Sequence, residues 1–330
     1  MQRQKNKKWI VIALLLWCVW PISVAQEWKL VWSDEFNQKG RLDTAIWNYE
    51  NGFVRNEEAQ WYQADNAYCK GGKLVIEARK EHRKNPWYEA GSKDWRKKRE
   101  FIQYTSSCAT TAGKKEFLYG RFEVRARIPV GGGAWPAIWL LGTDMHWPSN
   151  GEIDMMEYYR IKGVPHILAN ACWGTDQVAN AKWDDAKIPF THFTDRDPKW
   201  ADKFHIWRMD WDEAAIKLYL DDELLNEIPL NETINGSLGL GTNPFRKPQY
   251  ILLNLAIGGI NGGEIDDEEI PMKYEVDYVR VYQKEPSDRQ YWCNLLYKMA
   301  EPVLSNMSEG KLKQNMQLEL SPRWDGRNKD

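Results

Sequence analysis

The stretch GEIDMMEYY, residues 151–159, carries three carboxylates, Glu152, Asp154 and Glu157, two and then three positions apart. On an α-helix each residue advances about 100°, so Asp154 would lie roughly 200° and Glu157 roughly 140° around from Glu152, and the three would scatter. A regular strand, with its period of two, aims Glu152 and Asp154 at one face and Glu157 at the other. One extra residue, a β-bulge around Met155 and Met156, restores the parity and brings all three to a common face. Two carboxyl groups about 5 to 5.5 Å apart can hydrolyse a glycosidic bond with retention, one as nucleophile and the other as acid and then base. With a bulge the Cα atoms of Glu152 and Glu157 stand about four strand steps apart, about 13 Å at ~3.3 Å per step. Side chains leaning inward can close that gap. Asp154 lies between them, placed to hydrogen-bond Glu152, while the clustered negative charge keeps a proton on Glu157.

Two other readings compete. The row could be ordinary acidic residues on a wet strand face, or the ligands of a metal ion. Its setting among Ile153, Met155, Met156 and Tyr158 argues against the first, because like charges repel and need a reason to coexist. Calcium and magnesium sites more often use a loop with several oxygen ligands and a Gly turn.

A row of this kind needs a scaffold of strands. From Trp28 to about Gln283 the chain reads as short strands separated by Gly, Pro, Asn and Asp. The clearest are 73–79, 119–128, 216–220, 250–256 and 274–282, several of them alternating apolar with polar residues. No helical pattern of comparable length interrupts them, so the expected fold class is all-β, an antiparallel sandwich or jelly roll. Residues 79–100, RKEHRKNPWYEAGSKDWRKKRE, break the pattern and read as an exposed loop, either a surface excursion or a rim of a binding cleft. Beyond Gln283, residues 288–307 have helix-compatible spacing, and 285–330 forms a partly helical tail outside the β domain.

The chain opens with a basic start, a short apolar run and Ser23-Val24-Ala25, the pattern of a cleavable export signal over 1–25. Cys18 as a lipid attachment site fits less well, since Leu16 and Trp17 precede it. No later segment approaches the roughly 20 apolar residues of a membrane span. Charge is balanced, 45 Lys and Arg against 47 Asp and Glu, so neither nucleic acid nor an anionic membrane is an expected partner. Of the five cysteines, Cys69, Cys108, Cys172 and Cys293 follow the signal, and none shows zinc-site spacing. The 19 tryptophans are the compositional outlier. Some fill a core, but an exported, near-neutral, Trp-rich chain is what sugar stacking requires.

Glu152-Ile-Asp-Met-Met-Glu157 is similar to the signature of glycoside hydrolase family 16 in its bulged form. The resemblance runs from about residue 27 to 283 through Asn56-Glu-Glu-Ala-Gln-Trp-Tyr62, Gly72 to Arg79, Tyr104-Thr-Ser106, Tyr119 to Glu123, Trp135-Pro-Ala-Ile-Trp139, Phe204-His205, Leu253 to Gly259 and Val276 to Tyr282, in the order of the laminarinase-type branch. It implies a β-jelly roll over 26–284 with an open cleft on its concave face, and an endo-acting retaining hydrolase that works as a monomer without a catalytic cofactor. Glu152 would be the nucleophile, Asp154 its assistant and Glu157 the acid/base. Trp135 and Trp139 would stack sugar rings, though either could instead be core, and Asn56 and Arg121 would hydrogen-bond them. Trp173, in Ala171-Cys172-Trp173-Gly174, joins this binding set. A structural calcium on the convex side would be held by Glu35, a backbone carbonyl near Gly72, and Asp277.

Departures from the family bear on the substrate. Cys172 stands where glucan-cleaving members commonly have His, and Ile260-Asn261-Gly262-Gly263 replaces the familiar Asn-Trp. Such changes suit members that cut β-1,4-galactosyl bonds in mucin-type or keratan-type glycans, with laminarin-type glucan still open. A carbohydrate-binding module without catalysis, or an adhesion domain, is the alternative class; the first would be favoured by a missing carboxylate, and all three are present.

Overall fold

Alternation of apolar and polar residues dictates the architecture. In the computed structural model, which describes residues 27–284, seventeen strands build two sheets. In chain order they are β1 (Trp28–Asp34), β2 (Asn48–Tyr49), β3 (Gln60–Tyr62), β4 (Ala67–Cys69), β5 (Leu74–Lys84) and β6 (Phe101–Ser106). There follow β7 (Cys108–Thr110), β8 (Gly120–Arg127), β9 (Ala134–Gly142), β10 (Glu152–Ile161), β11 (Val164–Gly174) and β12 (Ala181–Pro189). The last five are β13 (His205–Trp211), β14 (Ala215–Leu220), β15 (Glu223–Pro229), β16 (Gln249–Ile257) and β17 (Met272–Lys284). The expected leader and helical tail lie outside the described residues. Contacts divide the chain into two units, and Leu30–Gln283 is the one that carries the sheets.

The larger sheet runs β15-β14-β13-β8-β17-β5-β6-β3, with β1 on β17 and β4 on β5; the smaller runs β12-β11-β10-β9-β16-β7-β2. β3 and β6 pair in parallel, and the ladders that flank the site, β12-β11-β10-β9-β16-β7-β2, are antiparallel throughout. One main core lies between the sheets. Phe122, Val124 and Ala126 of β8 enter it from the larger sheet, and Ile138 and Leu140 of β9 with Leu253 and Leu255 of β16 enter from the smaller. Their alternate neighbours on the smaller sheet face the other way. The result is the all-β jelly-roll sandwich that the sequence implies. Among the described residues no helix exceeds four residues, and none is long and apolar enough to cross a membrane.

The basic stretch 79–100 is only partly a loop. β5 continues to Lys84, β6 begins at Phe101, and a short helical turn, Trp95–Lys98, sits between. Charge hid the strand, because the end of β5 leaves the core and both its faces become wet.

Candidate active site

β10 bends where its sequence says it must. Against β11, Asp154 pairs with Asn170 and Glu157 with Leu168, so Met155 and Met156 together face Ala169. Against β9, Asp154 pairs with Trp139 and Met156 with Ile138, which leaves Met155 as the extra residue. Met155 and Met156 both point into the core with Ile153 and Tyr158. Burying two successive apolar side chains fixes the bulge, and the parity change turns Glu157 back to the face of Glu152 and Asp154. Gly151 starts the strand at φ 78°, and a Cβ there would stand 2.7 Å from Pro244 Cβ. Only glycine fits that corner.

All three carboxylates line one pocket of about 790 Å³ on the outer face of the smaller sheet. Its size is that of a small-molecule or oligosaccharide site. Trp147 donates its indole N–H to Glu152 Oε2 at 2.8 Å. Trp135 does the same for Glu157 Oε1 at 2.9 Å, and Asn170 Nδ2 reaches Glu157 Oε2 at 3.5 Å. Asp154 Oδ2 and Asn170 Oδ1 are buried without hydrogen-bond partners on register-paired residues.

Burial raises all three acids, because a low-dielectric site disfavours the charged form. Glu152 rises to about 7 against the Trp147 hydrogen bond and the Arg55 charge, which oppose the shift. Glu157 also rises to about 7; Trp135 and Asn170 oppose the shift, while the charges of Glu152 and Glu58 add to it. Asp154 is pushed well above the carboxylate range by burial, then by Glu157 and Glu152. The neighbours thus set the two glutamates apart. The Arg55 charge favours the ionised form of Glu152, whereas the charges of Glu152 and Glu58 favour the protonated form of Glu157.

The expected binding residues divide. Asn56 lines the pocket, as do Trp135 and Trp139. Both indoles are tightly held, 5% and 7% exposed: Trp135 packs edge-on against Tyr159, and Trp139 donates to Asn254 Oδ1 at 2.7 Å beneath the Arg55 guanidinium. Arg121 does not reach the pocket. It sits on β8 in the larger sheet, opposite the core-facing Phe122, and its guanidinium pairs with Asp210 at 2.7 Å. Trp173 is likewise corrected to the core, packed edge-on against Phe245, because β11 sends Ile167, Ala169, Ala171 and Trp173 inward. Parity gives the pocket face to Asn170 and to the fully buried Cys172, register partner of Glu152. Burial raises the Cys172 thiol, which stays protonated.

Several pocket residues carried no motif of their own. Trp147 and Trp183 are 45% and 42% exposed and present open rings to the pocket. Strand alternation in β12 could have revealed Trp183, Asp185 and Lys187 as one face. Glu58 is a further carboxylate of the pocket, buried like Asp154, raised to about 6 by desolvation, and it accepts from Gln60 Nε2 at 2.6 Å. It stands inside the quoted Asn56–Tyr62 segment.

The calcium expectation meets arginines. Both oxygens of Glu35 are held by Arg280 at 2.9 Å, and Asp277 Oδ2 accepts from Arg125 at 2.5 Å. Gly72 lies beside Asn37, and no group of three or more His, Cys, Asp or Glu side chains fit to hold a metal occurs among the described residues. Both carboxylates of the expected calcium set are thus engaged by arginines.

A jelly roll with a bulged row of carboxylates in a pocket of this size defines a glycoside hydrolase. Residues 55–280 match glycosyl hydrolases family 16, and the chain belongs to that family. It is 34% identical to a beta-glucanase of Rhodothermus marinus over 78% of this chain and 86% of that one. It is 31% identical to a keratan-sulfate endo-1,4-beta-galactosidase of Sphingobacterium multivorum, over 78% of this chain and 56% of that protein. A solved structure of the endo-acting O-glycanases that members of the human gut microbiota express to initiate mucin breakdown superposes with a TM-score of 0.70 at 36% identity, covering 82% of this chain and 96% of that one.

Proposed function

We propose that the chain is an exported, retaining endo-β-glycosidase that hydrolyses internal β-1,4-galactosyl bonds of a neutral mucin-type or keratan-type glycan. The observation that carries the chemistry is the bulge at Met155 and Met156, which gives Glu152, Asp154 and Glu157 one pocket. Ionised Glu152 attacks the anomeric carbon of the sugar, the glycosidic C–O bond breaks, and Glu157 gives its proton to the departing oxygen. Glu157, now a carboxylate, takes a proton from water as that water displaces Glu152 and restores the original configuration. Trp147 holds Glu152, and Trp135 with Asn170 holds Glu157. Asp154, kept protonated by burial, steadies the nucleophile's charge.

Three observations support the sugar. With protons on Asp154 and Glu157, the carboxylates left to carry charge in the pocket, Glu58, Glu152 and Asp185, stand against Arg55 and Lys187, a near balance that suits an uncharged ligand. The O-glycanase structure combines 36% identity with near-complete coverage of its chain. Cys172 stands where glucan-cleaving members commonly carry His. The similarity to the R. marinus beta-glucanase favours a second reading, a β-1,3-glucan substrate. The leader-like sequence over 1–25 supports export.

Incubation with mucin O-glycans, keratan, laminarin and mixed-linkage glucan, followed by sizing of the products, tests the assignment. Oligosaccharides from the galactose-containing glycans alone are expected. Cleavage of laminarin alone would give the second reading, and monosaccharides alone would contradict endo action.

A further inference from the structure

The basic excursion 85–100 is a large feature that the chemistry leaves without a role. It does not line the pocket, yet it grips the segment that does. Arg55, Asn56 and Glu58 all face the substrate space, and the backbone presenting them is strained: Asn56 and Glu57 hold φ of 55° and 52°, the left-handed region. Two successive non-glycine residues there need outside support.

That support comes from two arginines. Arg99 Nη1 donates to the Glu58 carbonyl at 2.5 Å and Arg99 Nη2 to the Glu57 carbonyl at 2.7 Å, a fork closing over the turn. Arg96 Nη2 donates to the Val54 carbonyl at 2.8 Å. A charged donor on a backbone carbonyl makes one of the stronger protein hydrogen bonds. On the far side of the turn, Ile260 N donates to the Asn56 carbonyl at 3.1 Å.

The arginines are themselves fixed. Asn85 Nδ2 donates to the carbonyls of Arg96 and Arg99 at 2.9 and 2.8 Å. The Arg99 guanidinium lies over Phe53 at 4.9 Å and Trp95 at 5.3 Å. Trp87 packs on Trp61 at 4.5 Å and fills the space above Gly52, where a Cβ would come within 1.9 Å of its ring. The excursion is therefore docked, not loose.

We propose that Arg99, assisted by Arg96, is a positioning residue: it holds the strained Asn56–Glu57 turn so that Arg55, Asn56 and Glu58 meet the sugar, and thereby sets substrate affinity. This rests on the glycosidase reading of the pocket. The turn also carries Arg55 and Glu58, whose charges act on Glu152 and Glu157, so loss of the brace is expected to move the pH profile of kcat as well as KM.

Kinetics and amide exchange on full-length variants test it. Arg99→Ala is expected to raise KM on the order of tenfold, to shift the pH profile of kcat, and to speed hydrogen exchange across residues 55–60. Arg99→Lys, which keeps the charge but loses the fork, is expected to recover part of the KM, and Lys97→Ala, whose side chain pairs with Glu89 in the same excursion, to change none of these. An unchanged KM in an active Arg99→Ala enzyme, or a fall in kcat matched by a general loss of exchange protection, would overturn the proposal. Should Arg99→Ala not fold, Arg99→Lys and Arg96→Ala decide it by the same readouts. If the wild-type chain cleaves no glycan, the pocket reading fails, and exchange across 55–60 alone then decides the brace: unchanged rates in Arg99→Ala overturn it.

Discussion

Glu152 and Glu157 are the same acid in the same pocket, and their neighbours divide their work. Arg55 beside Glu152 favours its charge, whereas Glu152 and Glu58 disfavour charge on Glu157. That arrangement costs stability. The folded-state value of Glu157, about 7, lies above its ordinary 4.5, so the folded chain binds more protons than the unfolded chain between those values, and stability falls as pH rises through that window. Glu157→Gln removes the ionisation. Thermal melts are expected to show the variant more stable than wild type at pH 8, by on the order of 1 kcal/mol once screening is allowed for, with the advantage vanishing below pH 4.5. Hydrolysis by the same variant is expected to fall ~10²–10⁴-fold. A melt in which Glu157→Gln is less stable at pH 8 would mean that Glu157 is a structural ion.

The elements explain what could be read in the chain and what could not. Parity alone exposes the bulge, since two and three are unequal spacings on a strand, and the strands around 73–79, 119–128 and 274–282 announce themselves by alternation. Arg121 and Trp173 resist the same treatment. Each is placed by the face its neighbours take, and sequence does not say which sheet β8 joins or which side of β11 meets the core. Trp183 escaped because alternation along β12 gives a polar strand no preferred face until β11 is beside it. In the sheet, Trp183 pairs with Cys172, which pairs with Glu152, so the backbones of Trp183 and the nucleophile stand two strand spacings apart, about 10 Å, and both side chains line the pocket. A sugar ring next along the chain from the cleaved unit would lie over the Trp183 ring. Trp183→Ala is expected to raise KM about two- to tenfold on long substrates, with kcat nearly unchanged and little effect on the shortest substrate cleaved. Equal kcat/KM on all lengths would exclude a stacking role.

At the scale of the whole molecule, the sandwich gives its two sheets different tasks. The smaller carries the chemistry on its outer face; the larger carries a ladder of ion pairs in which Arg121, Arg125, Arg127 and Arg280 each meet a carboxylate. Arginine, always charged and fork-shaped, satisfies a carboxylate without a metal. Chelation with EDTA is accordingly expected to leave the melting temperature within about 1 °C of the untreated value, since a shift of several degrees corresponds to about 1 kcal/mol of lost binding. A drop of that size, restored by added calcium, would show that Glu35 and Asp277 leave their arginines for an ion.

The bulged strand places Glu152 to attack the anomeric carbon while Glu157 protonates the oxygen that departs from it. A 2-deoxy-2-fluoro glycoside of the cleaved sugar slows release of the covalent intermediate, and mass spectrometry of the digested protein then locates the ester. One sugar on the Glu152 side chain itself, located by fragmenting the labelled peptide and absent in Glu152→Gln, is the expected result. A label on Glu157 or Asp154, or a product released with inverted configuration and no label at all, would contradict it.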